Sequence, residues 1–212
     1  MSTQTEMKKQ LLLDSFEALL KEYKTNDNAM RELISKMSRL DMVLTSQLWE
    51  KLILSNKNLF PAKGGSPVDC WGITERIIYE IKEDGGGIEA AALIIRNSDI
   101  LMNYIYNKSS YLGKNSGEVI GALINMDDFE SANKILKLAV SNKSDPDNSD
   151  EFLVNFDLFI GDVIIGAIDQ IKENGSLENR DKAIELIQYY INEIVDKTEK
   201  AKASVRFIDL LE

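Results

Sequence analysis

Apolar residues recur at intervals of three and four along nearly the whole chain, and no segment alternates as a half-buried strand does. The pattern predicts a first helix over about Thr5 to Tyr23, with Leu12, Phe16, Leu19, Leu20 and Tyr23 on one face. A second covers about Asn28 to Met37, striped by Met30, Leu33, Ile34 and Met37. A third covers about Asp41 to Leu54, with Asp41 as N-cap and Val43, Leu44, Leu48 and Leu52 inward. After a proline- and glycine-bearing loop, a fourth runs from about Val68 to Glu83, with Cys70, Ile73, Ile77 and Ile81 inward and Ile78 on the flank. Gly85-Gly86-Gly87 ends it. Shorter helices follow at about Ile88 to Arg96, Asp99 to Lys108, Ser116 to Asn125 and Asp127 to Ser141. Asn97-Ser98-Asp99 and Met126-Asp127-Asp128 form capped turns between them.

A polar loop, 142–149, leads into a long helix from about Asp150 to Glu173. Its apolar stretch, Phe152 to Ile171, is interrupted by Asn155, Asp157, Asp162 and Asp169, too many polar groups for a membrane span. It therefore reads as the buried centre of the fold. Asn155, Asp162, Asp169 and Glu173, spaced by 7, 7 and 4, make one narrow stripe that solvent exposure explains. Gly161 and Gly166 are suited to close helix approach. A last helical region covers about Leu177 to Lys197, and the tail to Glu212 continues as helix. That amphipathic ending, from Phe207 on, can dock on its own domain or on a second copy.

Short helices joined by short turns predict stacked antiparallel pairs. Two internal echoes accompany them. At an offset of 30, Gly87, Ala92, Leu93, Ile94 and Ile105 match Gly117, Ala122, Leu123, Ile124 and Ile135. Val119-Ile120-Gly121-Ala122-Leu123 is also echoed by Ile164-Ile165-Gly166-Ala167-Ile168. The expected fold is all-α: about ten helices in antiparallel pairs, as an α-solenoid stack or an irregular bundle. We expect one domain over 1–212, with possible sub-units 1–58 and 67–212.

Phe129, Ala132, Leu136 and Ala139, with Pro146 beyond them, resemble the second helix of the tetratricopeptide (TPR) repeat. Gly121 stands one residue late for the first-helix Leu-Gly, and its Trp is missing. Ala183, Ile187 and Tyr190 are a second, poorer match. The resemblance covers about a quarter of the chain. It implies a helical array that binds peptides or proteins on one face.

Composition narrows the function. The chain has no histidine and one cysteine, Cys70. That excludes Ser-His-Asp and Cys-His catalysis, HExxH zinc sites, histidine pH switching and internal disulfides. Cys70 reads as a small buried apolar residue. The balance of 35 acids against 25 bases gives a net charge of −10, with no basic footprint for nucleic acid. The N-terminus lacks a signal-peptide apolar run, so a cytoplasmic location is expected, with no membrane contact.

Candidate sites are few. Asp145 to Glu151 looks like a calcium loop, but an EF-hand needs glycine and glutamate where Asp150 and Phe156 stand. Gly85 to Gly87 lacks the strand and lysine of a phosphate loop. Glu80 with Glu83, and Glu178 with Asp181, sit one turn apart, the spacing by which all-α metal-dependent nucleotide hydrolases chelate magnesium. Asn103, Tyr104, Tyr106, Asn107 and Tyr111 cluster as an adaptable recognition surface, with Trp71 or Trp49 as further exposed candidates. The expected function is noncatalytic: a module that presents a groove to a protein or peptide, with no cofactor or metal. An acidic inhibitor or immunity protein masking a basic toxin or nuclease is the first alternative. The metal-dependent hydrolase is the second.

Overall fold

In the computed structural model, the described residues are 3–22, 27–55, 70–105, 113–141, 150–174, 178 and 180–212. At 27, 70–73, 103, 104, 113, 114, 140, 141, 150–159 and 174 only the helical backbone is described. The chain is all-α: eleven helices and no strand occur among the described residues. They fall into two compact units, Met1–Tyr104 and Ile105–Glu212.

The first unit holds α1 (Thr3–Lys21), α2 (Asp27–Ser38), α3 (Met42–Ser55), α4 (Cys70–Asp84), α5 (Gly87–Arg96) and α6 (Asp99–Tyr104). Helix ends follow local chemistry. Asp41 caps α3 by accepting from the Leu44 amide at 3.0 Å, and Ser98 caps α6 by accepting from Leu101 at 3.1 Å. Gly87 takes a left-handed φ of 86° at the turn into α5, where a side chain would be strained. Ser35 of α2 donates to the Glu80 carbonyl of α4, and Arg39 further along α2 donates to the Gly85 carbonyl beyond the α4 end. The two helices therefore run parallel, as the leading helices of successive hairpins.

The core of this unit is Phe16, Met30, Ile34, Met37, Trp49, Leu52, Ile77, Ile81 and Ile94, all with no exposure. Ile78 is buried as well. The expected inward face of α3 needs correction. Val43 is 61% exposed, and Thr45, Ser46, Trp49 and Ile53 turn inward with Leu48 and Leu52. Thr45 can enter the core because its hydroxyl bonds back to the Asp41 carbonyl at 2.7 Å. Lys9 is also drawn in, with its ammonium 3.0 Å from Asp41.

The second unit holds α7 (Gly113–Asn125), α8 (Phe129–Ser141), α9 (Asp150–Asn174), α10 (Arg180–Glu193) and α11 (Lys197–Leu211). Gly117 lies on Val163, Gly166 and Ala167, and Gly121 on Ala167 and Gln170. Asn125 then donates to the Gln170 carbonyl at 3.1 Å. Contacts that advance together along both chains make α7 and α9 parallel. The echo of Val119–Leu123 in Ile164–Ile168 thus joins two neighbouring helices that meet backbone to backbone through their glycines. Helix α11 extends the row: Asp169 meets Arg206 at 2.6 Å and Lys172 meets Asp209 at 3.7 Å. One layer is α7, α9 and α11, all parallel; α8 and α10 form the other.

The long helix, expected at the centre of the fold, is central to this unit over its described side chains, while those of 150–159 lie outside the description. Ile160, Val163, Ile164, Ala167 and Ile168 are at most 1% exposed. Of its polar stripe, Glu173 is exposed as expected and the Asn155 side chain lies outside the described residues, but the two aspartates do not face open solvent. Asp162 and Asp169 point at α11, where Arg206 neutralises Asp169 while Glu199 and Lys202 stand beside Asp162. The last helical region is two helices. Ile194 to Asp196 is a break, and the Asp196 carboxylate accepts from the Thr198 and Glu199 amides, each at 2.9 Å. Arg180, at the start of α10, closes the far end of α11 by donating to the Leu210 carbonyl at 2.8 Å.

Burial and the nearby Glu199 hold the Asp162 carboxyl above the usual carboxylate range, and Lys202 only partly offsets them. A raised acid pKa means that the ionised form costs stability. The cost is full above the folded pKa and vanishes below the unfolded one. Asp162→Asn should therefore raise the melting temperature at neutral pH. The gain should fade as the pH drops below about 4, where both states are protonated. A constant gain at all pH values would show that charge is not the cause.

Candidate functional site

Helices α8 and α10 lie side by side in the second unit. Asp127, in the left-handed region at φ 61°, makes the tight turn that starts α8. Asp128 then caps it by accepting from the Ser131 amide at 3.1 Å. Ala132, Ile135, Leu136 and Ala139 go inward, which leaves Phe129, Asn133 and Lys137 towards α10. On α10, Ala183, Ile187, Tyr190 and Ile191 are buried, and Lys182, Glu185, Leu186 and Tyr189 line the outer side.

Between them is an open groove of about 930 Å³. Its floor is fixed by Tyr190, whose hydroxyl donates to Asn133 Oδ1 at 2.8 Å. Burial, with Tyr189 and Glu193 nearby, pushes that hydroxyl up to about 12, so it stays a donor at any physiological pH. Tyr189 meets the Tyr190 ring edge-on, with centroids 5.0 Å apart, yet remains 59% exposed. Lys182 sits 5.5 Å from the centre of the Phe129 ring and 3.8 Å from Asp127. The surface is thus aromatic and aliphatic along its length and carries both signs of charge, from Lys137 and Lys182 and from Glu130 and Glu185. It can bind by apolar contact and paired charges.

A second groove, of about 480 Å³, lies between α2 and α4. Its charges are mostly committed to each other: Arg31 meets Glu80 at 3.0 Å, and Lys36 pairs with Glu32. Glu80 is half of one acid pair proposed from spacing. Among the described residues, no group of three acids or cysteines is arranged to hold a metal ion.

The recognition surface expected from sequence mostly lies outside the described residues. Tyr106, Asn107 and Tyr111 are outside them altogether. Asn103 and Tyr104 lie in α6 and Trp71 in α4, with their side chains outside the description. Trp49 is corrected from exposed to fully buried. Sequence reasoning passed over the α8–α10 groove. A signal was present in the adjacent Tyr189-Tyr190: the stripe of Ala183, Ile187 and Tyr190 at 4–3 spacing takes Tyr190 inward and leaves Tyr189 about 100° away from it. No described helix is long and apolar enough to cross a membrane. Comparison with protein-family models, with curated proteins and with solved structures finds no match to this chain.

Proposed function

We propose that the chain is a noncatalytic interaction module that takes a peptide or helix of a partner protein in the α8–α10 groove. The observation that carries this is the run of half-buried Phe129 and Leu186 and exposed Tyr189 over a floor held by the Tyr190–Asn133 bond. Aromatic side chains with few rotatable bonds supply contact area at low entropic cost. Rigid floors reduce the ordering cost of binding. The flanking lysines and glutamates favour an amphipathic ligand with charges of both signs over a purely basic one. The stacked hairpins of the second unit are the kind of scaffold on which such surfaces are built.

The test is panning of a displayed peptide library on the full chain, followed by fluorescence anisotropy with the selected peptides. Tyr189→Ala and Leu186→Arg should each weaken binding by about tenfold or more, the loss expected of a central anchor. Melting should change little, because Tyr189 is largely exposed. Peptides that bind both variants as well as the parent would reject the groove. Failure to select any peptide would reject the module.

A further inference from the structure

Helix α11 flanks α9 in the row α7–α9–α11, and its two faces differ from those of an ordinary surface helix. Glu199, Ala203, Phe207 and Leu210 are buried against the unit. At 100° per residue, the opposite face is centred on Ala201, Val205 and Ile208. All three are exposed, with Val205 at 68% and Ile208 at 53%. A helix face left to solvent is ordinarily polar. Here it is an apolar stripe one helix wide, at the 4–3 spacing by which helices pack on one another.

The charges along the stripe indicate what covers it. Exposed Lys197 stands at its start and exposed Glu212 at its end, while on one flank between them Lys202 pairs with Glu199 and Asp209 with Arg206 and Lys172. This order is self-complementary in one direction only. A parallel second copy would set Lys197 against Lys197 and Glu212 against Glu212. An antiparallel copy, two-fold symmetric about Val205, brings Ala201 to the partner's Ile208. It also places Lys197 beside the partner's Glu212. We propose that α11 is a homodimerisation helix, pairing with α11 of a second copy in this antiparallel register. Such an interface is isologous, so every contact occurs twice. One helix pair buries little surface, which places the affinity in the range of weak, reversible association.

The test is sedimentation equilibrium of the full chain across the micromolar range. The parent chain should fit a monomer–dimer equilibrium. Val205→Glu should be monomeric throughout, with the helix content of the parent. Lys197→Glu and Glu212→Lys, both compatible with the helix dipole, should each raise the dissociation constant about three- to tenfold. The double variant should restore parental association, since the pairing is re-formed with its signs exchanged. A parent chain that stays monomeric overturns the proposal. So does a Val205→Glu protein that still dimerises, or a double variant weaker than either single one.

Discussion

Ile164→Asp leaves the second unit unfolded at neutral pH. The side chain sits at no exposure in the middle of α9, the helix that α7 and α11 flank and α10 also touches. Removing the isoleucine loses about 2–3 kcal/mol of burial. The aspartate then faces two poor options. Ionised, it is an uncompensated charge in an apolar interior; protonated, its pKa must rise by several units, each costing about 1.4 kcal/mol at neutral pH. The total is about 5 kcal/mol or more, comparable with the whole stability of a small domain. Circular dichroism should show a large loss of helix, and proteolysis should spare no fragment spanning 105–212. Ile165 supplies the comparison. It is next in sequence but only half-buried, so Ile165→Asp should cost clearly less. A cooperative melt near the parent's for Ile164→Asp would mean that α9 is not the centre of its unit.

Most helices were legible because the signals that set them are local. The caps Asp41, Ser98 and Asp128 start their helices by accepting from amides three residues on, and an apolar stripe at 3–4 spacing needs no distant information. What escaped depends on neighbours far along the chain. Nothing near Val43 says that Thr45 and Ser46 take the inward side of α3. The stripe of Asp162 and Asp169 looks like a solvated edge until Arg206 and Lys202, on another helix, are placed beside it. The break before α11 is different, because its signal was local and was passed over. Asp196, with Glu199 three residues on, is a start signal inside an otherwise continuous helical pattern. The groove was missed because it is made by two helices about fifty residues apart in sequence, whose adjacency depends on α7 and α9 packing side by side. The glycine echo that sets that packing was visible, but its spatial meaning was not.

Gly117 and Gly161 make opposite predictions from the same substitution. Both are inside helices, where glycine is about 1 kcal/mol worse than alanine. A methyl group at Gly161 would have Glu199 Oε2 as its nearest neighbour, at 3.5 Å, an ordinary contact. Gly161→Ala should therefore be neutral or stabilising by up to about 1 kcal/mol. A methyl at Gly117 would overlap the Val163 carbonyl oxygen and lie 2.8 Å from the Ala167 nitrogen and 2.9 Å from the Gly166 α-carbon. Those are backbone atoms of a helix, so no side chain can swing aside. Helices α7 and α9 must separate, and the apolar contacts on either side of the glycine loosen with them. Overpacking of this kind costs about 1–3 kcal/mol, and more where backbone must move. The helical gain of alanine offsets only part of that. For a unit of this size each kcal/mol lowers the midpoint by about 4–8 °C. Gly117→Ala should thus melt well below the parent, Gly161→Ala at or above it, and Gly117→Val should fail to fold the unit. The ordering separates close helix contact from simple helix propensity. If propensity alone acted, both alanine variants would be stabilised, and the parallel seam between α7 and α9 would not be as tight as its glycines require.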